Sequence, residues 1–133
     1  MTGVRIVAVD ERDSSWEDVR PRFRVYLHSS GPHSTCGSTW TYDVTGADVL
    51  QVIDWAQKRA APDRTYAVAL VLDRALLPGE EAERGLVWLV GLDGNTNAWD
   101  EAEADMLQRM LRRREQPVVV PPADAVPSDV VVD

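Results

Sequence analysis

The sequence predicts a single α+β domain of two layers, in which a mixed or antiparallel sheet of about five strands carries two helices on one face. Two observations predict it: short apolar runs at the period of strands, and two longer segments whose apolar residues recur at the period of a helix. Their order is β-β-β-α-β-β-α, and two helices on one face bury the apolar sides of both layers. The domain is expected to span residues 1–115, and residues 116–133 to form a flexible or extended tail rich in Pro and Val.

Apolar and polar residues alternate in the segments predicted as the first three strands. Residues 4–9, VRIVAV, form a β-branched run that is typical of a mostly buried strand. In residues 22–28 every second side chain is apolar, which indicates a strand with one buried and one solvated face. Residues 40–45 alternate in the same way. The loop at 29–38 is rich in Gly, Pro and hydroxyl residues, so we expect the second and third strands to form a hairpin.

The first helix is predicted from its cap and its apolar stripe. Thr45 and Asp48 have the spacing of a capping box, which places the N-cap at Thr45. Apolar residues then recur at helical spacing until Pro62 ends the helix. The stripe consists of Val49, Ile53, Ala56 and Ala60.

Two near-continuous apolar runs and a second amphipathic segment complete the predicted domain. Residues 66–72 and 86–92 are predicted strands, because such runs are typical of interior strands. A helix follows, with Asn97 as its N-cap and an apolar face that begins at Trp99. Acidic residues lie at its start and arginines at its end, an order that complements the helix dipole. Four prolines after Glu115 then prevent a further long helix.

Composition and charge disfavour several classes of protein. The 133 residues hold 22 acidic against 14 basic side chains, a net charge of −8, which disfavours non-specific binding of DNA or RNA. No apolar run approaches the roughly 18 residues of a membrane helix, and the N-terminus lacks the apolar core of a secretory signal. The basic residues are 13 arginines and one lysine, a bias typical of GC-rich bacteria, and a single cysteine suits a reducing cytoplasm. We expect a bacterial cytoplasmic protein without a cofactor.

The two histidines and the single cysteine, His28, His33 and Cys36, lie within nine positions. Imidazole and thiolate are good zinc ligands, but the spacing H-x4-H-x2-C matches no standard structural site and lacks a fourth ligand. Cys36 could instead act as a nucleophile with His33 as its base. These ideas define one alternative, a small enzyme or a small-molecule or metal-binding protein whose site lies at residues 28–42. The simpler interpretation is a polar loop.

Tryptophan is unusually frequent, with five residues against one phenylalanine. Trp88 lies in an apolar strand and Trp99 at the start of an apolar helix face, so we expect both in the core. Trp55 falls off the apolar stripe of its helix, which predicts partial exposure, and Trp40 and Tyr42 follow the Gly-rich loop. Arginines on a solvated strand face are suited to carboxylates or phosphates. The candidate binding residues are Trp40, Tyr42, Trp55, Arg22 and Arg24.

The chain contains no paired acid and base, glycine-rich fingerprint or nucleophile elbow in the spacings that enzymes use. We therefore expect a non-catalytic interaction protein that binds a more basic protein. It would neutralise that protein, as immunity proteins and antitoxins do, or assist it as an accessory subunit. Its net charge would steer the association. A second copy of the chain is another expected partner, through a sheet edge or through the valines of the tail.

Overall fold

An antiparallel sheet of four strands and two helices make up this small α+β domain. The strands are β1, Arg22–Ser30; β2, Gly37–Val44; β3, Arg64–Arg74; and β4, Glu83–Val90. The helices are α1, Val49–Ala60, and α2, Glu101–Arg112, and short 3-10 turns lie at Glu11–Asp13 and Pro122–Asp124. These elements come from a computed structural model, which describes residues 3–74, 79, 81 and 83–132. Within those residues, neither helix has the length and apolar character needed to cross a membrane.

The interior strands β1 and β3 supply much of the buried apolar surface. The strand order is β2-β1-β3-β4, and β1 and β3 pair with Val25 opposite Val68 and Phe23 opposite Leu70. Alternation directs Phe23, Val25 and Leu27 to one face, where all three are buried. β2 pairs antiparallel with β1 over its whole length, so the predicted hairpin is confirmed. β2 and β4 are the edges of the sheet.

Helix α1 covers one face of the sheet and contacts both β1 and β3. Its N-cap is Asp48, whose carboxylate accepts a hydrogen bond from the Gln51 N–H at 3.0 Å, while the Gln51 side chain accepts one from the Asp48 N–H. The predicted cap at Thr45 is wrong, because Gly46 takes a φ of 76°, which interrupts a helix at that point. The buried residues of α1 are Val52, Asp54, Ala56 and Ala60.

Helix α2 begins after Asp100, whose carboxylate accepts a hydrogen bond from the Glu103 N–H at 2.9 Å. The predicted cap at Asn97 is wrong, because Asn97 lies in the irregular segment before the helix. Met110 is buried beside Gly91, where a Cβ would lie 3.1 Å from its thioether. Helix α1 contacts two strands of the sheet and α2 contacts β3, so the predicted packing of both helices on one face is not confirmed.

Residues 4–9 do not join the sheet, so the prediction of about five strands is wrong by one. The backbone of residues 3–10 has no regular secondary structure, and Ile6 is 94% exposed. β-branched residues favour an extended backbone, but they form a strand only where a neighbouring strand and a face to bury are present. This segment has neither.

Residues 116–132, the C-terminal segment, are anchored along α1. The Gln57 side-chain amide donates to the Val118 carbonyl at 2.6 Å and accepts from the Val118 N–H at 3.0 Å. The buried carboxylate of Asp54 accepts from the Val126 N–H at 3.1 Å. The segment contains no helix beyond the short 3-10 turn, as predicted, and its two anchors tie it to α1, so the prediction of a flexible or extended tail is not confirmed.

Candidate functional site

The sheet places the candidate binding residues on two different faces. Trp40 of β2 lies opposite the buried Leu27 of β1, so its side chain belongs to the face that α1 covers. Tyr42, two residues further on, belongs to the same face. Arg22 and Arg24 alternate with the core residues of β1 and belong to the other face. The candidate set is therefore divided into an aromatic part and a basic part.

The aromatic part is brought together with two arginines. The rings of Tyr42 and Trp55 meet edge to face, with centroids 5.3 Å apart and planes at 77°. The Arg59 guanidinium lies 5.9 Å from both centroids, and the Arg64 guanidinium lies 4.6 Å from that of Trp40, which are cation–π distances. Trp55 is half-buried, which confirms its predicted partial exposure, and Trp40 is 40% exposed. We call these five residues the aromatic surface: Trp40, Tyr42, Trp55, Arg59 and Arg64.

An open groove of about 450 Å³ lies between the aromatic surface and the C-terminal segment. Tyr42 and Trp55 line it together with Val126 and the valines at 130–132. Of the valines that the sequence suggests for pairing with another subunit, those at 130–132 line this groove, and Val131 stays 80% exposed. The C-terminal segment partly encloses the aromatic surface on this side.

Arg22 and Arg24 share one carboxylate on the opposite face. The Nε atoms of Arg22 and Arg24 donate to the two oxygens of Asp43 at 2.7 and 2.6 Å. The hydrogen bond from Arg24 is the main cause that holds the pKa of Asp43 below its ordinary value. Because the carboxylate already occupies both guanidinium groups, the three side chains leave a net charge of +1 for any anionic partner.

His28 lies on this same face but is fully buried. Its Nε2 accepts a hydrogen bond from the Gly94 N–H at 3.0 Å, so the neutral ring carries its proton on Nδ1. Desolvation lowers the pKa of His28, against an opposing effect of Asp93, whose carboxylate oxygen lies 3.3 Å from Nε2. The buried, neutral ring therefore serves as a hydrogen-bond acceptor for the loop after β4.

The loop after β4 is fixed to the start of β2 by Asn95. Its side-chain oxygen accepts from the Gly37 N–H at 2.9 Å, and its amide nitrogen donates to Gly37 O and to Thr39 Oγ1. Thr35 donates from Oγ1 to the Gly94 carbonyl at 2.7 Å. The polar loop at 29–38 thus has a structural partner, which the sequence interpretation did not foresee.

His33 and Cys36 both lie in the exposed connection between β1 and β2. They are three residues apart, whereas the ring of His28 is enclosed within the domain. In the part of the chain that the structure describes, no group of three or more His, Cys, Asp or Glu side chains is arranged to hold a metal ion. The alternative metal set His28, His33 and Cys36 is therefore not brought together.

Trp99 is the residue whose predicted position is most clearly wrong. It was expected in the core, and it is 89% exposed. Because the helix is capped by Asp100, Trp99 precedes the cap, and Ala104, which would meet it in a hydrophobic staple, is also exposed. The acids that follow Trp99 were the available signal, since they mark a helix start at Asp100 rather than at Asn97. Trp88, also expected in the core, is half-buried against Tyr26, with ring centroids 5.0 Å apart.

Comparison of the chain with family models, with curated proteins and with solved structures gives no match. Fold and surface therefore define the protein only as a small α+β domain whose four-stranded antiparallel sheet is covered on one face by α1. Among its exposed features are the aromatic surface at the β2 edge and Trp99 at the N-terminal end of α2.

Proposed function

We propose that this domain is a non-catalytic protein-binding module that docks a basic partner at the N-terminal end of α2. The observation that carries the proposal is the 89% exposure of Trp99. We call the docking surface the Trp99 surface, and it consists of Trp99, Asp100 and Glu101. All three residues are exposed. The indole indicates an apolar pocket on the partner, and the two carboxylates indicate a basic rim around it.

An exposed indole supports binding for two reasons. Its transfer from water to a partner is favourable, and this domain does not bury it against its own residues. Tryptophan side chains bury about 150–250 Å² each and are enriched among the few residues that dominate interface energies. Truncation of such a residue typically weakens binding by about 2 kcal/mol or more. The backbone N–H of Trp99 donates a hydrogen bond to the Glu103 carboxylate at 2.6 Å, which fixes the backbone that carries the ring. The ring is thus held in place without being buried.

The charge around the indole favours a basic partner. Between residues 85 and 108 the chain has five acidic residues and no Lys or Arg. Such a surface attracts positive charge and raises the association rate at low salt. A basic enzyme that the domain neutralises, as immunity proteins and antitoxins do, and a basic subunit that it assists both fit this chemistry. The arginine bias and the single cysteine support a bacterial cytoplasm as the setting.

Affinity capture with matched variants tests the proposal. Wild-type protein, Trp99→Ala and Trp16→Ala are immobilised in equal amounts and exposed to the same native lysate. Trp16 is the control because it is also highly exposed, at 73%, but lies in the irregular N-terminal segment. We expect a basic protein on the wild type and on Trp16→Ala, and roughly thirtyfold less or none on Trp99→Ala, from the size of a tryptophan hot spot.

Two further measurements separate a loss of folding, and a change of charge, from a loss of binding. Because Trp99 packs little against the domain, Trp99→Ala should melt within about 0.5 kcal/mol of the wild type in stability. Glu101→Lys should slow association with the captured partner and weaken its dependence on salt. Identical protein sets on all three baits would contradict the proposal, and so would a partner retained by Trp99→Ala with unchanged affinity.

A further inference from the structure

A small, partly enclosed cavity lies where the C-terminal ends of α1 and α2 meet the start of β3. Its volume is about 80 Å³, between two and three times the share of one water molecule in the liquid. Met110 and Ala60 form apolar parts of its wall. The polar part is unusual for so small a space, because three arginines and a tyrosine line it: Arg64, Tyr66, Arg113 and Arg114.

Two donors in this cavity are buried without a partner. Tyr66 is only 3% exposed, and its hydroxyl has no hydrogen-bond partner. Nη1 of Arg113 is likewise buried and unpartnered. A buried donor without an acceptor destabilises a fold, more so when it is charged, and native structures retain such groups only where something else compensates. Both donors therefore indicate an acceptor that belongs in the cavity.

The charge of the cavity is positive and unpaired within the described residues. The ion pairs among the described residues involve other arginines, Lys58 and His28, and none includes Arg64, Arg113 or Arg114. Arg114 donates to the Gly31 and Pro32 carbonyls, which fixes its position but leaves its charge. Burial raises the pKa of Tyr66, and the charge of Arg113 opposes this effect. Both residues line the cavity.

We propose that this cavity binds a phosphate group, with Tyr66 and Arg113 as the residues that hold it. Guanidinium groups recognise tetrahedral oxyanions through paired, charge-assisted hydrogen bonds, and a tyrosine hydroxyl donates a further one. Three nearby cations favour a dianion over a monoanion such as a carboxylate. Arginines at the ends of helices are common, because they interact with the terminal carbonyls. That role does not explain an unpartnered hydroxyl and an unpartnered guanidinium nitrogen in the same cavity.

Thermal unfolding in the presence of anions tests the site with the intact chain. Inorganic phosphate, O-phosphoserine, acetate and chloride are compared at equal ionic strength and at about pH 8, where phosphate is mainly a dianion. We expect phosphate to raise the Tm progressively with concentration, as a ligand that binds only the folded state does, and acetate and chloride to have no such effect. A larger shift with O-phosphoserine would assign the group to a phosphorylated molecule, and a larger shift with inorganic phosphate to the free ion.

Two variants make the result specific. Tyr66→Phe removes only the unpartnered hydroxyl, so it should fold as well as the wild type while binding phosphate roughly ten- to hundredfold more weakly. Arg113→Met should lose the phosphate effect, and Arg112→Met, one residue earlier on the exposed side of α2, should keep it. Equal melting temperatures in phosphate and chloride would overturn the proposal. So would an equal or larger effect of acetate, or a wild-type phosphate response in both Tyr66→Phe and Arg113→Met.

Discussion

His28 and Gly94 show how single residues join the loop after β4 to β1 and to the loop before β2. The imidazole accepts the Gly94 N–H, and the Gly94 carbonyl accepts the hydroxyl of Thr35, so one glycine connects β1 with the loop before β2. Such close approach requires a residue without a side chain. A Cβ at Gly94 would lie 2.5 Å from the Thr35 carbonyl oxygen and 2.9 Å from the nearest carbon of the His28 ring.

Gly94→Ala should therefore destabilise the domain. The added methyl group must displace either the Thr35 backbone or a fully buried ring, and overpacking of this kind typically costs about 1–3 kcal/mol. Gly31→Ala is the matched control, because a Cβ there would meet no atom within 4 Å. Denaturant unfolding checks both variants. Equal midpoints for Gly94→Ala and the wild type would show that the contact between loop and ring is looser than described.

His28 should make the stability depend on pH. Its pKa in the folded state is lowered from its ordinary value near 6.5, chiefly by desolvation, so the unfolded chain takes up a proton at a higher pH than the folded domain does. The contribution is then complete above about pH 6.5 and is lost as the pH falls through the lower folded-state pKa. Protonation of Nε2 also removes the acceptor of the Gly94 N–H.

Tm measured from about pH 7.5 down to 4.5 checks this expectation. The wild type should lose stability across that range, and His28→Gln, although less stable throughout, should show a flatter profile. His33→Gln should keep the wild-type profile, because His33 is exposed. The pKa values of Asp43 and Asp73 are lowered mainly by hydrogen bonds from Arg24 and Arg84, so these carboxylates stabilise the domain in this pH range and lose that contribution only at lower pH, where they take up protons. A profile for His28→Gln parallel to the wild type would contradict the assignment.

At the scale of elements, the sequence predicts what depends on neighbouring residues. The alternation in β1 and β2, the apolar run of β3 and the existence of both helices are confirmed, because each is encoded in local periodicity. The predicted cap positions are wrong, since Thr45 and Asn97 can also accept the hydrogen bonds of a helix N-terminus. Only the φ of Gly46 and the reciprocal bond to Gln51 decide between the candidates for α1.

Features that depend on distant partners were not predictable from one sequence. Residues 4–9 have the composition of a strand but no strand beside them in the described chain. Asp54 lies among the apolar positions of α1, and its buried carboxylate is satisfied by Lys58 on the same helix and by the Val126 N–H, 72 residues away. The candidate site likewise contains one feature that local sequence predicts and one that it does not. The exposure of Trp55 follows from its helical position, whereas the stacking of Arg64 on Trp40 depends on the order of the strands.

The C-terminal segment should behave as part of the folded domain, and Gln57 offers the sharpest test. Its amide makes two hydrogen bonds with the backbone of Val118, the paired geometry that backbone groups make in a sheet. Gln57→Ala should lower the stability by about 1–3 kcal/mol and speed amide exchange in residues 118–126, whereas Gln108→Ala, on exposed surface, should do neither. Exchange protection at Val126 that is already absent in the wild type would show that the segment is free in solution.

At the scale of the whole molecule, the net charge of −8 hides an uneven distribution. The N-terminal end of α2 is acidic, and the opposite end of the same helix carries Arg109, Arg112, Arg113 and Arg114. Asp105 already pairs with Arg109 at 3.0 Å, so part of the total is internal to the helix. The acidic Trp99 surface and the positive cavity therefore lie towards opposite ends of α2, and one chain can attract a basic partner and an oxyanion at separate places.

Fluorescence quenching should report this distribution directly, without a partner. Trp99 is exposed and followed by acidic residues, so caesium ions should concentrate near its ring and iodide ions should be repelled. The emission lost in Trp99→Phe, obtained as the difference from the wild type, should be quenched more efficiently by caesium than by iodide. The preference should fade as added salt brings the Debye length below about 8 Å.

The corresponding difference for Trp88→Phe, whose ring is half-buried against Tyr26, should be quenched weakly by both ions. Stronger quenching of the Trp99 component by iodide would mean that the local field is positive, and the assignment of a basic partner to this surface would then be wrong.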